Sequence, residues 1–144
     1  MATIKMDGVD AYIEMVSKLG DMYDPIMMRV IKAGRKVILD AMRAANATFA
    51  NFLKGTTPKK NEYGWFAQVQ FKGKTSSGES AAKAASVYEY GRVAGTYTDK
   101  KGHKRPYHAQ PARPWIRATI KSAEPKAVQA MQEEYDKAVS ELLG

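Results

Sequence analysis

The chain contains no cysteine, which excludes a disulfide scaffold and any zinc site built on thiolates. Histidine is nearly as scarce, with His103 and His108 the only two. No apolar run approaches the ~20 residues that a membrane-spanning helix needs, so no membrane partner is expected. The opening Met1 to Asp7 lacks the continuous apolar segment of a signal peptide, and synthesis in the cytoplasm is the expectation. Also missing are a nucleophile motif, a phosphate-cradling glycine loop and a paired set of catalytic carboxylates. The chain is therefore expected to be no enzyme and to carry no cofactor and no metal.

What is present suits a packed domain. With 144 residues, 44% of them hydrophobic, the chain is long and apolar enough to bury one core, and residues 1–144 are read as a single domain. The net charge of +8 is concentrated in the middle. Residues 1–53 hold seven basic and six acidic side chains, residues 54–121 fourteen and four, and residues 122–144 two and five. A positive field of that kind draws in nucleic acid through counterion release or an acidic protein through steering, and the charge alone does not separate them.

Hydrophobic periodicity supplies the elements. In residues 1–23, read as an N-terminal arm or short helix, Val9, Tyr12, Ile13, Val16 and Leu19 have helical spacing, and Gly20 is placed to end the turn. Asp24-Pro25 then reads as an N-cap followed by a first-turn proline, predicting a long helix over 24–53. Its apolar stripe includes Ile26, Val30, Ile38, Met42 and Phe49, with Arg29, Lys32, Lys36, Asp40 and Arg43 on the other side. Gly34 predicts a close crossing or a bend. Lys54 to Asn61 reads as an exposed loop. Alternation from Trp65 to Phe71 predicts a strand, which Lys72 to Gly78 ends as a turn.

Alanines favour helix from Ala81, but Val87-Tyr88-Glu89-Tyr90 favours strand, so a helix giving way to strand is expected. Val93 to Tyr97 and Lys104 to His108 flank a basic tip and predict a hairpin, completing a sheet-and-hairpin region over 62–108. The C-terminal helical region spans 113–143, with Pro114 in its first turn and Pro125 as a kink or new start. Val128, Met131, Tyr135, Val139 and Leu142 form a seam that, with Trp115, is assigned to the core. The fold class is α+β: a long N-terminal helix and a C-terminal helix packed on a small antiparallel sheet with an extended basic hairpin.

Three groups of residues carry candidate chemistry. Glu89 sits among aromatic residues and, if buried, needs a partner; Arg92, Arg113 or Arg117 is expected to supply it in a structural ion pair. His103 and His108 make a poor metal set, and with Lys101, Lys104 and Arg105 they would serve a ribonuclease only as a bare acid–base pair. The cluster Lys100, Lys101, Lys104 and Arg105, flanked by Tyr97 and Tyr107, has cations for phosphate and rings for stacking. It is a loop that faces DNA, docks on an acidic partner, or stands in solvent.

Taken together, the long helix, the small sheet, Val87-Tyr88-Glu89-Tyr90-Gly91, the hairpin, Ala109-Gln110-Pro111 leading into Arg113-Pro114-Trp115, and the last helix resemble the gene-product-ten-like tail-component family of long-tailed phages. The likeness runs from about Pro25 to Leu143. Arg92 stands where the family commonly has a small hydroxyl residue, and Ala112 where it commonly has an aromatic one. The resemblance implies a structural virion protein of the neck or the head-proximal end of the tail, acting in tail completion and head-tail joining. It implies a ring of copies of the chain, six by the symmetry of the tail. Neighbours would be the tail terminator or tail tube and the head-closure or connector proteins, around passing double-stranded DNA. Glu89, Tyr90, Gly91, Gln110, Pro111, Pro114 and Trp115 are then structural motif residues. A stand-alone basic nucleic-acid-binding module is the other reading.

Overall fold

The computed structural model describes residues 9–143. Two long helices dominate, α1 over Val9–Ala45 and α3 over Ile116–Leu143. Between them come strands β1 (Leu53–Gly55), β2 (Lys59–Asn61), β3 (Gly64–Phe66) and β4 (Val69–Phe71), helix α2 (Ala81–Tyr90), and strands β5 (Gly95–Thr98) and β6 (Lys104–Tyr107). The class is α+β, and the strands form three separate antiparallel pairs, β1 with β4, β2 with β3 and β5 with β6.

The N-terminal helix does not break at Gly20 or start at Asp24. It runs unbroken through Gly20 and Pro25. Proline removes one N–H and crowds one carbonyl, and here the affected turn is exposed, where water can serve the freed group. Asp24 caps nothing and instead accepts from Trp65 Nε1 at 3.1 Å and Lys60 Nζ at 3.3 Å. The packing of Val9, Tyr12, Ile13, Val16 and Leu19, like residues 1–8, lies outside the described residues. At its other end the helix stops at Ala45 and not near Leu53. The Asn46 side chain accepts from Thr48 N at 3.1 Å, a local turn that competes with helix continuation.

The segment expected to be a loop forms β1 and β2, and the single expected strand is split into β3 and β4. Together they make one bent hairpin, since Thr56 and Gln68 bridge the break between the two pairs: Thr56 N donates to Gln68 O at 2.8 Å and Gln68 N to Thr56 Oγ1 at 2.7 Å. The hairpin lies along α1. Arg43 Nη2 donates to Leu53 O at 2.8 Å and Arg35 Nη1 to Thr56 O at 2.6 Å, while Lys60 and Trp65 reach Asp24. Arginines on α1 thus satisfy carbonyls that a two-stranded ribbon leaves unpaired.

The C-terminal helix passes through Pro125 without ending and packs antiparallel on α1. Its fully buried positions are Ala123, Ala127 and Ala138; of the seam expected, Met131 packs against this core while Val128 is 59% exposed and Tyr135 45%. Alanine at the contact lets the two backbones approach, and the bulk comes from Ile26 and Val30 of α1. Gly34 marks the close crossing, because a Cβ there would meet Met131 Sδ at 2.6 Å. Arg29, expected on the solvent side, reaches across to Glu134 at 2.8 Å and Glu141 at 2.9 Å. The main core gathers Met42, Phe49, Leu53, Ala85 and Trp115. Phe49 stacks on Trp115 at 6.1 Å and meets Phe71 and Tyr88 edge-on.

Candidate functional site

Helix α2 remains helical to Tyr90, without the expected change to strand, and Ser80 caps it by accepting from Lys83 N. Its spacing buries Ala81, Ala85 and Glu89 on one face. Glu89 is only 3% exposed. Its carboxylate accepts from Trp115 N at 2.7 Å, Ile116 N at 2.9 Å and Arg117 N at 3.3 Å, so it caps the start of α3 from a different element. Of the three arginines expected to pair with it, Arg117 does so, but only at 3.9 Å and with its side chain 73% exposed, so the backbone amides are the main partners. Burial pushes the carboxyl pKa up, but the amides of Ile116, Trp115 and Arg117 outweigh it and hold the group below the ordinary 4.5.

The sequence carried a signal for this. Nothing in Arg113-Pro114-Trp115 can cap the following helix with a side-chain oxygen, so an acceptor from elsewhere is needed, and Glu89, set among Val87, Tyr88 and Tyr90, is a carboxylate that could supply it.

Immediately after the cap, Gly91 turns with φ +74°. Arg92 and Gln110 exchange backbone hydrogen bonds at 3.0 and 2.9 Å, and Arg113 N donates to Tyr88 O at 2.8 Å. Thus Glu89, Gly91, Gln110 and Trp115, drawn from two segments about twenty residues apart, meet in one joint between the end of α2 and the start of α3. Pro111 and Pro114 lie on its exposed extended segment, and Tyr90 is 62% exposed at its edge.

The basic hairpin projects from this joint as β5 and β6, somewhat shorter than expected. Asp99 organises its tip: Oδ1 accepts from Lys101 N and His103 N, both at 2.9 Å, and Oδ2 from Arg105 Nε at 3.1 Å. The His103 amide first, then Arg105 and the Lys101 amide, hold the Asp99 carboxyl below its ordinary range. Lys100, Lys101, Lys104 and Arg105 are all exposed. Asp99→Ala is expected to accelerate amide hydrogen exchange at Lys101 and His103 while leaving the global unfolding temperature in place, since the tip contributes nothing to the core.

His103 Nδ1 lies 3.7 Å from Asp99 Oδ2, and the His108 carbonyl accepts from Arg92 Nε at 3.0 Å. Among the described residues no group of three or more metal-ligating side chains forms, and no helix is long and apolar enough to cross a membrane. A groove of about 590 Å³ opens between α1, α3 and the first hairpin. Ile31, Ile38, Phe66, Val69, Ile120 and Val128 are among its lining residues, and neither histidine is. Comparison of the chain with protein-family models, with curated proteins and with solved structures finds no match.

Proposed function

We propose that this chain is a structural protein of a long-tailed phage, placed at the neck or tail end. There it joins with copies of itself, in a hexameric ring, and with neighbouring rings of the tail and the head connector around the DNA passage. It acts by assembly and not by catalysis. The resemblance named above motivates the reading, and the observation that carries it is the apolar surface left uncovered on a single copy. Ile120, 40% exposed, and Val128, 59% exposed, line an open groove that an isolated chain has no reason to keep. The motif residues also support it, because their contacts make a frame that holds a helix start and a hairpin base.

A ring needs two different, mutually complementary faces on each subunit. The charge distribution offers them: residues 81–121 carry nine basic and two acidic side chains, and residues 122–144 two basic and five acidic. Opposed signs of this kind set orientation.

The test is the mass by light scattering across concentration, with and without about 0.5 M salt, which screens the charges to a few ångströms, followed by negative-stain imaging. Rings are expected for the native chain, and their loss is expected in Val128→Glu, whose folded monomer tolerates a charge at so exposed a site. A chain that stays monomeric at every concentration sinks the homomeric ring; if that monomer also binds DNA tightly at low salt, a stand-alone nucleic-acid-binding module replaces it.

A further inference from the structure

Three arginines at the α2–α3 joint are held in an unusual way. Arg92 lies over the ring of Tyr107 at 4.9 Å, Arg113 over Tyr88 at 5.6 Å and Arg117 over Tyr90 at 4.9 Å. A guanidinium attracted to a ring in this way spends none of its N–H donors on the contact, so they remain available to an outside acceptor. Among the described residues the terminal nitrogens of these three donate no hydrogen bond to the protein; Arg92 uses only Nε, and Arg117 only nears Glu89 through Nε.

Arginines elsewhere are occupied. Arg29 holds two glutamates, Arg35 and Arg43 hold backbone carbonyls of the first hairpin, and Arg105 holds Asp99. Two of the three tyrosine supports are themselves held in place. Tyr88 packs edge-on against Phe49 in the core, and Tyr107 lies against Gly95 of the paired strand, where a side chain would collide with it. The two carboxylates of residues 81–121 are both consumed, Glu89 by backbone amides and Asp99 by the hairpin tip.

We infer that Arg92, Arg113 and Arg117, with the hairpin cations Lys100, Lys101 and Lys104, contact the phosphate backbone of double-stranded DNA. The observations favour DNA over an acidic protein surface for a chemical reason. Planar guanidiniums with free paired donors match phosphate oxygens two at a time, and no exposed acid on the same segment reads a protein partner's cations. Contacts of this kind carry no sequence information. The inference goes beyond the ring reading and does not depend on it, since one copy of the chain holds all of these cations.

The experiment is fluorescence anisotropy of the full chain with two duplexes of unrelated sequence, over a series of salt concentrations. The native chain is expected to bind both equally, with affinity falling linearly in log salt. The triple variant Arg92→Gln, Arg113→Gln and Arg117→Gln should lose about 2.7 from that slope, at roughly 0.9 per phosphate contact, and weaken binding on the order of a hundred-fold at low salt.

A control with the same change in net charge, Lys32→Gln, Lys59→Gln and Lys126→Gln, removes exposed cations elsewhere and should change the slope far less. Equal losses in the two variants mean diffuse charge and overturn the inference, as does a triple variant that binds like the native chain. So does poly-glutamate competing as well as duplex DNA at matched charge, which would identify an acidic protein as the partner. Arg113→Gln alone, at an exposed side chain with no hydrogen bond to the protein, should lower the slope by about 0.9 and keeps the test open if the triple variant unfolds. A ring that ignores DNA removes this inference and leaves the proposed function; a monomer that binds DNA through these arginines does the reverse.

Discussion

Replacing Glu89 by alanine is expected to destabilise the fold by about 3 kcal/mol, lowering the unfolding temperature by roughly 10 °C. The size follows from what is lost. A buried carboxylate takes three amide hydrogens of the α3 start, two of them at 2.9 Å or less, and charge-assisted bonds are about twice as strong as neutral ones. Without it, the Trp115 amide is buried with no acceptor, and the helix end loses the negative charge that its dipole favours. Glu89→Gln keeps an acceptor oxygen and should lose about half as much.

The pH dependence provides an independent check. The folded-state pKa of Glu89 lies below its ordinary value of 4.5, so in acid the unfolded chain takes up the proton more readily than the folded one. Its stabilisation is complete above that ordinary value and disappears as pH falls through the lower folded value. The stability of the native chain, read by chemical denaturation, should therefore fall progressively below about pH 5, whereas Glu89→Gln should show a flatter profile over the same range. Parallel profiles for the two chains would mean that the cap carries no linked proton.

Gly91→Ala should be comparably damaging, at about 3 kcal/mol or more. Its φ of +74° and ψ of 179° lie in a region that only glycine occupies freely, at a cost of roughly 1–3 kcal/mol for any side chain. The new methyl would also stand 2.8 Å from both Ala112 N and Gln110 O. Those are backbone atoms, so relief requires moving the segment that pairs with Arg92. Gly102 is the matched control: its φ is +82° with nothing within 4 Å, so Gly102→Ala meets the backbone term alone, about 1 kcal/mol. Denaturation midpoints with unchanged slopes would measure both. Equal effects at the two glycines would show that the close approach at Gly91 costs nothing.

Reading from sequence worked where pattern and packing coincide. The stripe through Ile26, Val30 and Met42 marked the buried side of α1, and the runs from Val93 to Tyr97 and Lys104 to His108 around a basic tip located the hairpin. It failed where a distant contact outweighs a local preference. Asp24-Pro25 has every mark of a helix start, yet an exposed proline costs too little to end a helix that continues on both sides. The large residues of α3 suggested the core, but a helix crossing α1 this closely admits alanine, leaving Val128 and Tyr135 outside. The residues around Glu89 point to a partner, and Arg117 is one, but the closer partners are the free amides at the start of α3, which exist only once that helix has formed. The Arg–Tyr stacks were illegible for the same reason, since each joins residues from different elements.

The pairing of α1 with α3 has a consequence for synthesis. Ile26 and Val30 find their cover in Ala138, which leaves the ribosome about a hundred residues later. At roughly 5–20 residues per second, the sticky side of the first helix stays bare for something like 5–20 s while the rest of the chain is being made. Newly made copies in the same polysome present identical bare helices to one another during that interval, so slow translation or crowding of nascent chains favours mispairing between copies over the intended closure within one.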